Sequence, residues 1–364
     1  MNAVAVPRLL SLTLLALLWL GPAQARAPIV SYAELDMFSF SEPFPIETLR
    51  PGGNAAWTHR AGEVISSHSR VALGARVGAW GVAAITRVDL ELAMHPDTAE
   101  FIYLIQTKQR PEAGRDYRID LAAEEYHSVG VMFDYAWEPR EGLMVAPNIS
   151  LLRGHRMTSA TLRGSAAAND ATEFDVDALL DSHHSEDHWF RHGVSAPQGV
   201  GYSVGLLLDW RASERWSLTA DLRDLLGAIH WRDAPYTRAQ MATDNYLDPT
   251  QDDLARDAVI SGRHGYRDYV QRLAMHGKGT IDYRVHERLH LLSDLHYSPS
   301  RLLTSYGLGW RTGRWRLDGL YDPGSRAYSA RLQTPHFSLS AAADSAVHQN
   351  LRLARVNAAV RLTL

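Results

Sequence analysis

From about residue 80 onward the chain alternates between apolar and polar positions. Trp80, Val82, Ala84, Val88 and Leu90 fall on one face of an extended segment, with Arg87, Asp89 and Glu91 on the other. Val129, Val131, Phe133, Tyr135 and Trp137 oppose Ser128, Gly130 and Asp134. Tyr202, Val204, Leu206, Leu208 and Trp210 oppose Ser203, Gly205, Asp209 and Arg211. The same rhythm runs through Trp216 to Arg223, Ile281 to His286, Arg314 to Tyr321 and Arg355 to Leu364. A period of two marks strands with one greasy and one wet face, because successive side chains leave a pleated strand on opposite sides. The pattern predicts strands near 79–92, 100–109, 115–123, 126–137, 142–166, 200–212, 215–231, 271–285, 288–297, 300–311, 314–322, 325–334, 336–346 and 350–364. The segment 142–166 is long enough to bend or split, and Arg70 to Val77 is a further candidate for pairing.

A soluble sandwich alternates too. Three features favour a closed barrel in a membrane, with lipid outside and a polar lumen inside. Trp137, Trp210, Trp216 and Trp310 sit at strand ends, where interfacial girdles form. Turns at 212–215, 286–287 and 312–313 are short, whereas 167–199 and 232–270 read as long loops. The last strand runs to an apolar final residue, Leu364, which resembles the sorting signal of outer-membrane proteins, where Phe is more usual. The expected fold is therefore all-β: a transmembrane up-and-down antiparallel barrel of 14 strands with both ends periplasmic and the two long loops outside the cell. No run of 18 apolar residues suggests a membrane helix.

Ahead of the barrel stand two other segments. Leu9 to Leu20 is a short apolar run after a single charge, Arg8, and Ala23-Gln24-Ala25 follows as a cleavage site, so residues 1–25 read as a secretory signal. Residues 26–78 hold Pro28, Pro43, Pro45 and Pro51, and proline cannot donate to a ladder. Phe38, Phe40, Phe44, Ile46 and Leu49 need burial, which favours a plug in the lumen; a periplasmic arm is the alternative.

Composition narrows the chemistry. The 364 residues are 46% hydrophobic with a formal net charge of -4, which excludes a disordered chain and gives no basic field for nucleic acid. There is no Cys, so disulfides, zinc ribbons and thiol chemistry are out. All but Lys108 and Lys278 of the 37 basic residues are Arg. On the strands, Arg87, Asp89, Glu91, Asp134, Asp209, Arg211, Asp221, Arg223, Asp282, Arg284, Asp294, His296, Arg316, Asp318 and Arg331 fall on the polar face. Such mixed signs suit a network of ion pairs that holds the barrel; a lining of one sign would have argued for ion selectivity.

No cofactor is expected. His184, His188 and His192 would share a stripe if Asp175 to His192 were helical, and three imidazoles so spaced can hold zinc, nickel or copper; a solvated His-rich loop is the plainer reading. Asp244, Asp248, Asp252, Asp253 and Asp257 lack the offsets of an EF-hand and read as a solvated acidic loop that cations could bridge to lipopolysaccharide. Catalysis is not expected: Ser293 lies on the opposite strand face from His290, Asp294 and His296, and there is no G-x-S-x-G elbow.

The run from Gly199 to Leu225 has a Gly-rich strand (Gly199, Gly201, Gly205), an Arg211-Ala212-Ser213-Glu214-Arg215-Trp216 turn and an Asp224-Leu225 ending. It resembles the hairpin of the long-chain fatty-acid transporter superfamily and its conjugal-transfer-associated relatives. Leu151-Leu152-Arg153-Gly154 is similar to the preceding strand of those barrels, and Arg50-Pro51-Gly52-Gly53-Asn54-Ala55 to their N-terminal segment. The resemblance implies a 14-strand barrel with an N-terminal plug that passes apolar molecules; it carries over no ligand-binding residue. The function expected is passage of a small apolar or amphipathic molecule across the outer membrane of a Gram-negative cell. The alternative is a non-transporting surface barrel for assembly or adhesion, acting through its loops. Expected partners are outer-membrane lipid, lipopolysaccharide, the barrel-assembly machinery and a small hydrophobic substrate.

Overall fold

The computed structural model describes residues 28–50, 55–168, 174–185, 197–243 and 259–363. Its strands in chain order are β1 (Ile29–Ser41), β2 (Val64–Val77), β3 (Trp80–Met94), β4 (Asp116–Tyr135), β5 (Trp137–Arg140), β6 (Leu143–Ala168), β7 (Phe174–His184) and β8 (Gly199–Arg211). They continue as β9 (Trp216–Ala242), β10 (Val259–Arg272), β11 (His276–Arg284), β12 (Leu289–Ser298), β13 (Arg301–Thr312), β14 (Trp315–Asp322), β15 (Ala327–Gln333), β16 (Phe337–Ala343) and β17 (Leu353–Thr363). One α-helix, α1 (Pro96–Thr107), lies between β3 and β4. The segments form a closed antiparallel barrel of 14 wall positions. Three positions are composite: β5 prolongs β4 along β6, β7 and β8 share the place between β6 and β9, and β10 and β11 share the next place along β9. Closure is made by β1, which pairs with β2 on one side and β17 on the other.

The expected strand number is met by different strands. Within the segment expected as a plug, Ile29–Ser41 and Val64–Val77 are strands of the wall. The phenylalanines that needed burial find it on the inner face of β1, where Phe38 and Phe40 pack with Leu303, Ala327, Ala342 and Leu353. Pro43 and Pro45 stand beyond the end of β1, where no ladder bond is lost. There the chain crosses the rim, and Phe44 packs with Ile65, Met94 and Ala99. In the other direction, the expected strand 100–109 is α1. Pro96 occupies its first turn, His95 accepts from the Asp97 N–H, and Lys108 ends it in a left-handed conformation. Short windows made Phe101, Tyr103 and Ile105 look like alternation. The two strands expected at 115–123 and 126–137 are one through Tyr135, and Glu124 between them is satisfied inside, accepting from Ser159 and Gln271.

The expected loops shrink likewise. Within 167–199, Phe174–His184 is strand β7, and within 232–270 the strands β9 and β10 take residues 232–242 and 259–270. The proposed signal segment, His188, His192 and the five loop aspartates fall outside the described residues.

Outward side chains form an apolar belt. Val200, Leu226, Leu317 and Leu151 are more than half exposed. At the end of the barrel where β1 begins and β17 ends, here called the terminal end, Trp80, Trp137, Trp216, Trp310 and Trp315 are exposed, and Trp80 and Trp216 meet Tyr135 and Tyr283 with ring centroids 4.7 Å apart. That end has tight turns, with Gly78 and Gly313 at positive φ.

The wall is uneven in height. β14, β15 and β16 have 8, 7 and 7 residues, whereas β4, β6 and β9 have 20, 26 and 27. The far parts of β4, β6 and β9, with β7 and β10, therefore rise as a blade above the short side. Its apolar centre includes Tyr117, Ile119, Phe174 and Val176, with Leu104 supplied by α1.

Glycines explain how the tall side packs. Trp231 is buried inside, donating to Gln271 Oε1 at 3.2 Å, and its ring occupies the space left by missing side chains at Gly154 and Gly199. A methyl at Gly154 would overlap that ring. Gly154→Ala should therefore cost about 1–3 kcal/mol, and Trp231→Phe in the same chain should recover part of the loss, both read from urea unfolding in lipid vesicles.

The same assay tests the two faces of β8. Leu207 lines the interior, whereas Leu206 and Leu208 alternate with it and face outward. Arginine at Leu206 or Leu208 should cost about 2–4 kcal/mol if the position lies at mid-bilayer, and arginine at Leu207 clearly less. Equal costs at all three would contradict the lipid belt.

Candidate functional site

The register builds the interior. Asp36 on β1 stands opposite Arg70 on β2, which stands opposite Arg87 on β3, so three charges share one inward row. Their partners come from across the lumen. Arg223 of β9 and Lys278 of β11 both reach Asp36 Oδ2 at 2.7 Å, and Arg223 also holds Asp221 at 2.7 Å. Arg87 grips Asp224 through two hydrogen bonds, at 2.9 and 2.6 Å, and donates to the Tyr126 hydroxyl at 2.6 Å. Asp89 lies 3.4 Å from the same guanidinium. Opposite walls are thus tied together near mid-height, and the lumen is closed there by side chains of the wall itself.

Asp224 owes its place to an irregularity. Between the pairs Val204–Leu226 and Leu206–Leu222, β9 carries extra residues, and Asp224 takes φ 55. The bulge lets the consecutive residues Arg223 and Asp224 both point inward, which a regular strand forbids.

Each expected lumen residue can be located. Arg87, Asp89, Asp221 and Arg223 belong to the central network just described. Asp134 pairs with Arg76. Asp282 accepts from Arg316 at 2.5 Å and shares a 2.8 Å hydrogen bond with His290; Arg316 also donates to Asp318 at 2.7 Å. Arg331 pairs with Asp294 and lies 3.7 Å from Asp318. Asp209 and Arg284 line a cavity toward the terminal end, where Arg284 approaches Glu214 at 3.9 Å.

Sequence reasoning missed Asp36 and His68, which fell in the segment read as plug, and did not place Arg70 in the lumen although Arg70 to Val77 was a candidate for pairing. It also missed Asp224, although the adjacent charges at 223 and 224 break the alternation and so signal a bulge. Lys278 did stand out, as one of two lysines.

Above the charged layer lies an aromatic one. His68 and His296 stack with centroids 5.3 Å apart and planes at 8°, and Phe38 meets His296 at 4.0 Å. His276 adds a third imidazole, 5.1 Å from His68. On the terminal side, three cavities of about 800, 380 and 330 Å³ share lining residues. The largest opens among the tight turns and is lined by Arg211, Arg284, Arg311 and Arg316. The second is two-faced: Tyr32, Ile85, Met132, Met144 and Leu207 on one hand, and on the other a mixed polar lining in which Arg70 and Arg76 sit with Glu34, Asp134 and Asp221. On the far side the space beside Phe38 and His296 is about 10 Å³, too small for a ligand.

Arg70 differs from the other central cations. Its Nη2 lies 3.1 Å from the Met132 sulfur, and it makes no ion pair with a described residue. It lines two of the three cavities.

Of the histidines expected at a metal site only His184 lies among the described residues. His183 and His184 lie on a strand, not a helix. Arg267 donates to His183 Nε2 at 2.7 Å, and Tyr269 stacks on its ring at 4.1 Å. Burial and then the Arg267 charge push this imidazole down to about 4, so it is neutral near pH 7. Among the described residues no group of three His, Cys, Asp or Glu is placed to hold a metal ion.

No family model and no curated protein matches the chain. Solved structures similar to it include a deletion mutant of TodX, a monoaromatic hydrocarbon channel, at 10% identity and TM-score 0.46, covering 94% of this chain and 91% of that one. The toluene transporter TodX of P. putida matches at 10% identity and 0.41, covering 94% and 90%. A FadL homologue of Pseudomonas aeruginosa matches at 11% and 0.33, covering 92% and 87%. These are whole-chain likenesses at low sequence identity; the fold described above rests on this chain's own strand pairings.

Removing one side of the buried Arg87–Asp224 pair leaves the other charge without compensation. Arg87→Met or Asp224→Leu alone should each cost about 3–5 kcal/mol, and the double substitution markedly less than the two costs combined. Additive costs in a double-mutant cycle would show that the two groups do not act as a pair.

Proposed function

We propose that the protein resides in the outer membrane and passes a small amphipathic molecule bearing an anionic group, entering or leaving by the cavities on the terminal side. Arg70 carries this reading: a guanidinium that makes no ion pair with a described residue, with Asp221 and Glu34 only at longer range, beside an apolar wall formed by Ile85, Met132, Met144 and Leu207. Such a surface complements a molecule with an acidic head and an apolar body. The Arg-rich mouth of the largest cavity favours the same sign of charge. Residence in a membrane is supported by the apolar belt, the aromatic ring at the terminal end and a sheet without a free margin through the belt, since lipid leaves no solvent to satisfy open backbone groups.

Passage requires the central network to part. Asp36 would have to release Arg223 or Lys278, and the Phe38–His296 contact would have to open. The closed far half also favours a second reading, in which the barrel conducts nothing and acts by its exposed blade.

The full chain in lipid nanodiscs separates these readings. Decanesulfonate should bind, decyltrimethylammonium should not, and Arg70→Gln should weaken the sulfonate by about tenfold, as loss of one charge-assisted contact predicts. In vesicles carrying the protein, entry of decanesulfonate should outpace entry into empty vesicles. Binding without entry favours the second reading. No binding, or equal binding of both amphiphiles, overturns the proposal.

A further inference from the structure

The two margins of the blade are finished differently. On the β4 margin, α1 covers the strand. The Thr98 hydroxyl donates to the Arg118 carbonyl at 3.0 Å and accepts from the Asp120 N–H at 2.9 Å, while the His95 N–H reaches the Asp120 carbonyl at 2.8 Å. The other margin is β10. It forms a ladder with β9, from Val259–Ala242 to Arg272–Ala228, and with no other described strand. The neighbour that serves the lower half of this wall position, β12, stops short: its upper residues pair with β11 at Gly277–Tyr297. A strand of 14 residues therefore runs past the end of its neighbour, and about half of its N–H and C=O groups point away from β9.

Natural sheets guard such a margin with proline, short length or charge. Here there is no proline and the strand is long; what remains is charge. β10 carries Arg263, Arg267 and Arg272 against Asp268, and the Asp268 carboxylate is already engaged by the Asp233 N–H at 3.0 Å. Arg263 and Arg272 are exposed and make no ion pair with a described residue, and Arg238 stands opposite Arg263 on β9. Basic side chains repel a second copy of the same margin, yet attract a strand of opposite charge.

We propose that β10 is a docking edge for an extended acidic segment of another polypeptide, which adds to the blade as one more strand. Backbone hydrogen bonds supply the pairing, and the arginines supply the selection. This inference concerns the blade and is independent of the cavities, so it stands or falls separately from passage.

The test uses the full chain in nanodiscs and the peptide acetyl-(Glu-Val)6-amide, labelled for anisotropy. Two controls isolate the terms: acetyl-(Lys-Val)6-amide reverses the charge, and acetyl-(Glu-Pro)6-amide keeps it while removing alternate donors. The acidic peptide should bind and the controls should not. Amide exchange should slow in residues 259–272 on binding and stay unchanged in β8. Arg263→Glu with Arg272→Glu should weaken binding by about tenfold or more, with heat-modified electrophoretic mobility confirming a folded barrel. Arg263→Gln with Arg272→Gln repeats the measurement if charge reversal disturbs assembly. The proposal is overturned if the proline peptide binds as well as the valine one, if β10 exchange does not change, or if no peptide binds. It is equally overturned if the unliganded chain is a dimer that these substitutions dissociate, since a second copy would then occupy the edge.

Discussion

Charge facing the inside of a narrow closed sheet has to be neutralised by whatever lies across the gap. In this barrel the partners lie on opposite walls. Asp36 is met by Arg223 and Lys278, and Arg87 by Asp224, so the ion pairs act as struts across the lumen. Burying one such charge alone would cost several kcal/mol, which makes the pairing a condition of the closed shape. The aromatic layer of Phe38, His68 and His296 can then stack above the struts, because the walls are held close enough for rings from β1, β2 and β12 to touch. No separate plug is needed to close the middle of the lumen.

The same struts divide the interior into unlike halves. Toward the termini the walls diverge around connected, Arg-lined cavities, while beyond the aromatic layer the interior packs tightly. Arg70, which makes no ion pair with a described residue, sits at the boundary. Its register neighbour Asp36 is committed to cations from the far wall, and its own contact is the Met132 sulfur. An arginine without an ion pair among the described residues is the position on which the proposed function rests.

Height asymmetry produces the second feature of interest. A short side of seven- and eight-residue strands faces a tall side of more than twenty, so part of the tall sheet cannot be closed by neighbours. One resulting margin is covered by α1 through Thr98, and the other, β10, keeps its backbone groups free of any described strand. The glycines at 154 and 199 serve this tall side from within, giving Trp231 the room to fill it.

Alternation along single strands was legible in the sequence because it is a local consequence of the pleat. It identified the outward Leu206, Leu208 and Trp210, and it set Asp221, Arg223, Asp282 and Arg316 on the polar face. It could not reveal that Phe38 and Phe40 belong to the wall, since apolar residues on both faces of β1 hide the period. Nor could it separate a helix at 96–107 from a short strand, because the His95-Pro96-Asp97 start outweighs the alternation only once β4 offers α1 a surface. Local pattern thus determined the class of fold and the inward or outward sense of its strands. Which charges meet, which arginine is left over and which edge is bare are properties of distance across the closed sheet. They depend on the bulge at Asp224, the pairing of β1 with β17 and the unequal wall heights, and these arise only when residues far apart in sequence are brought to the same level.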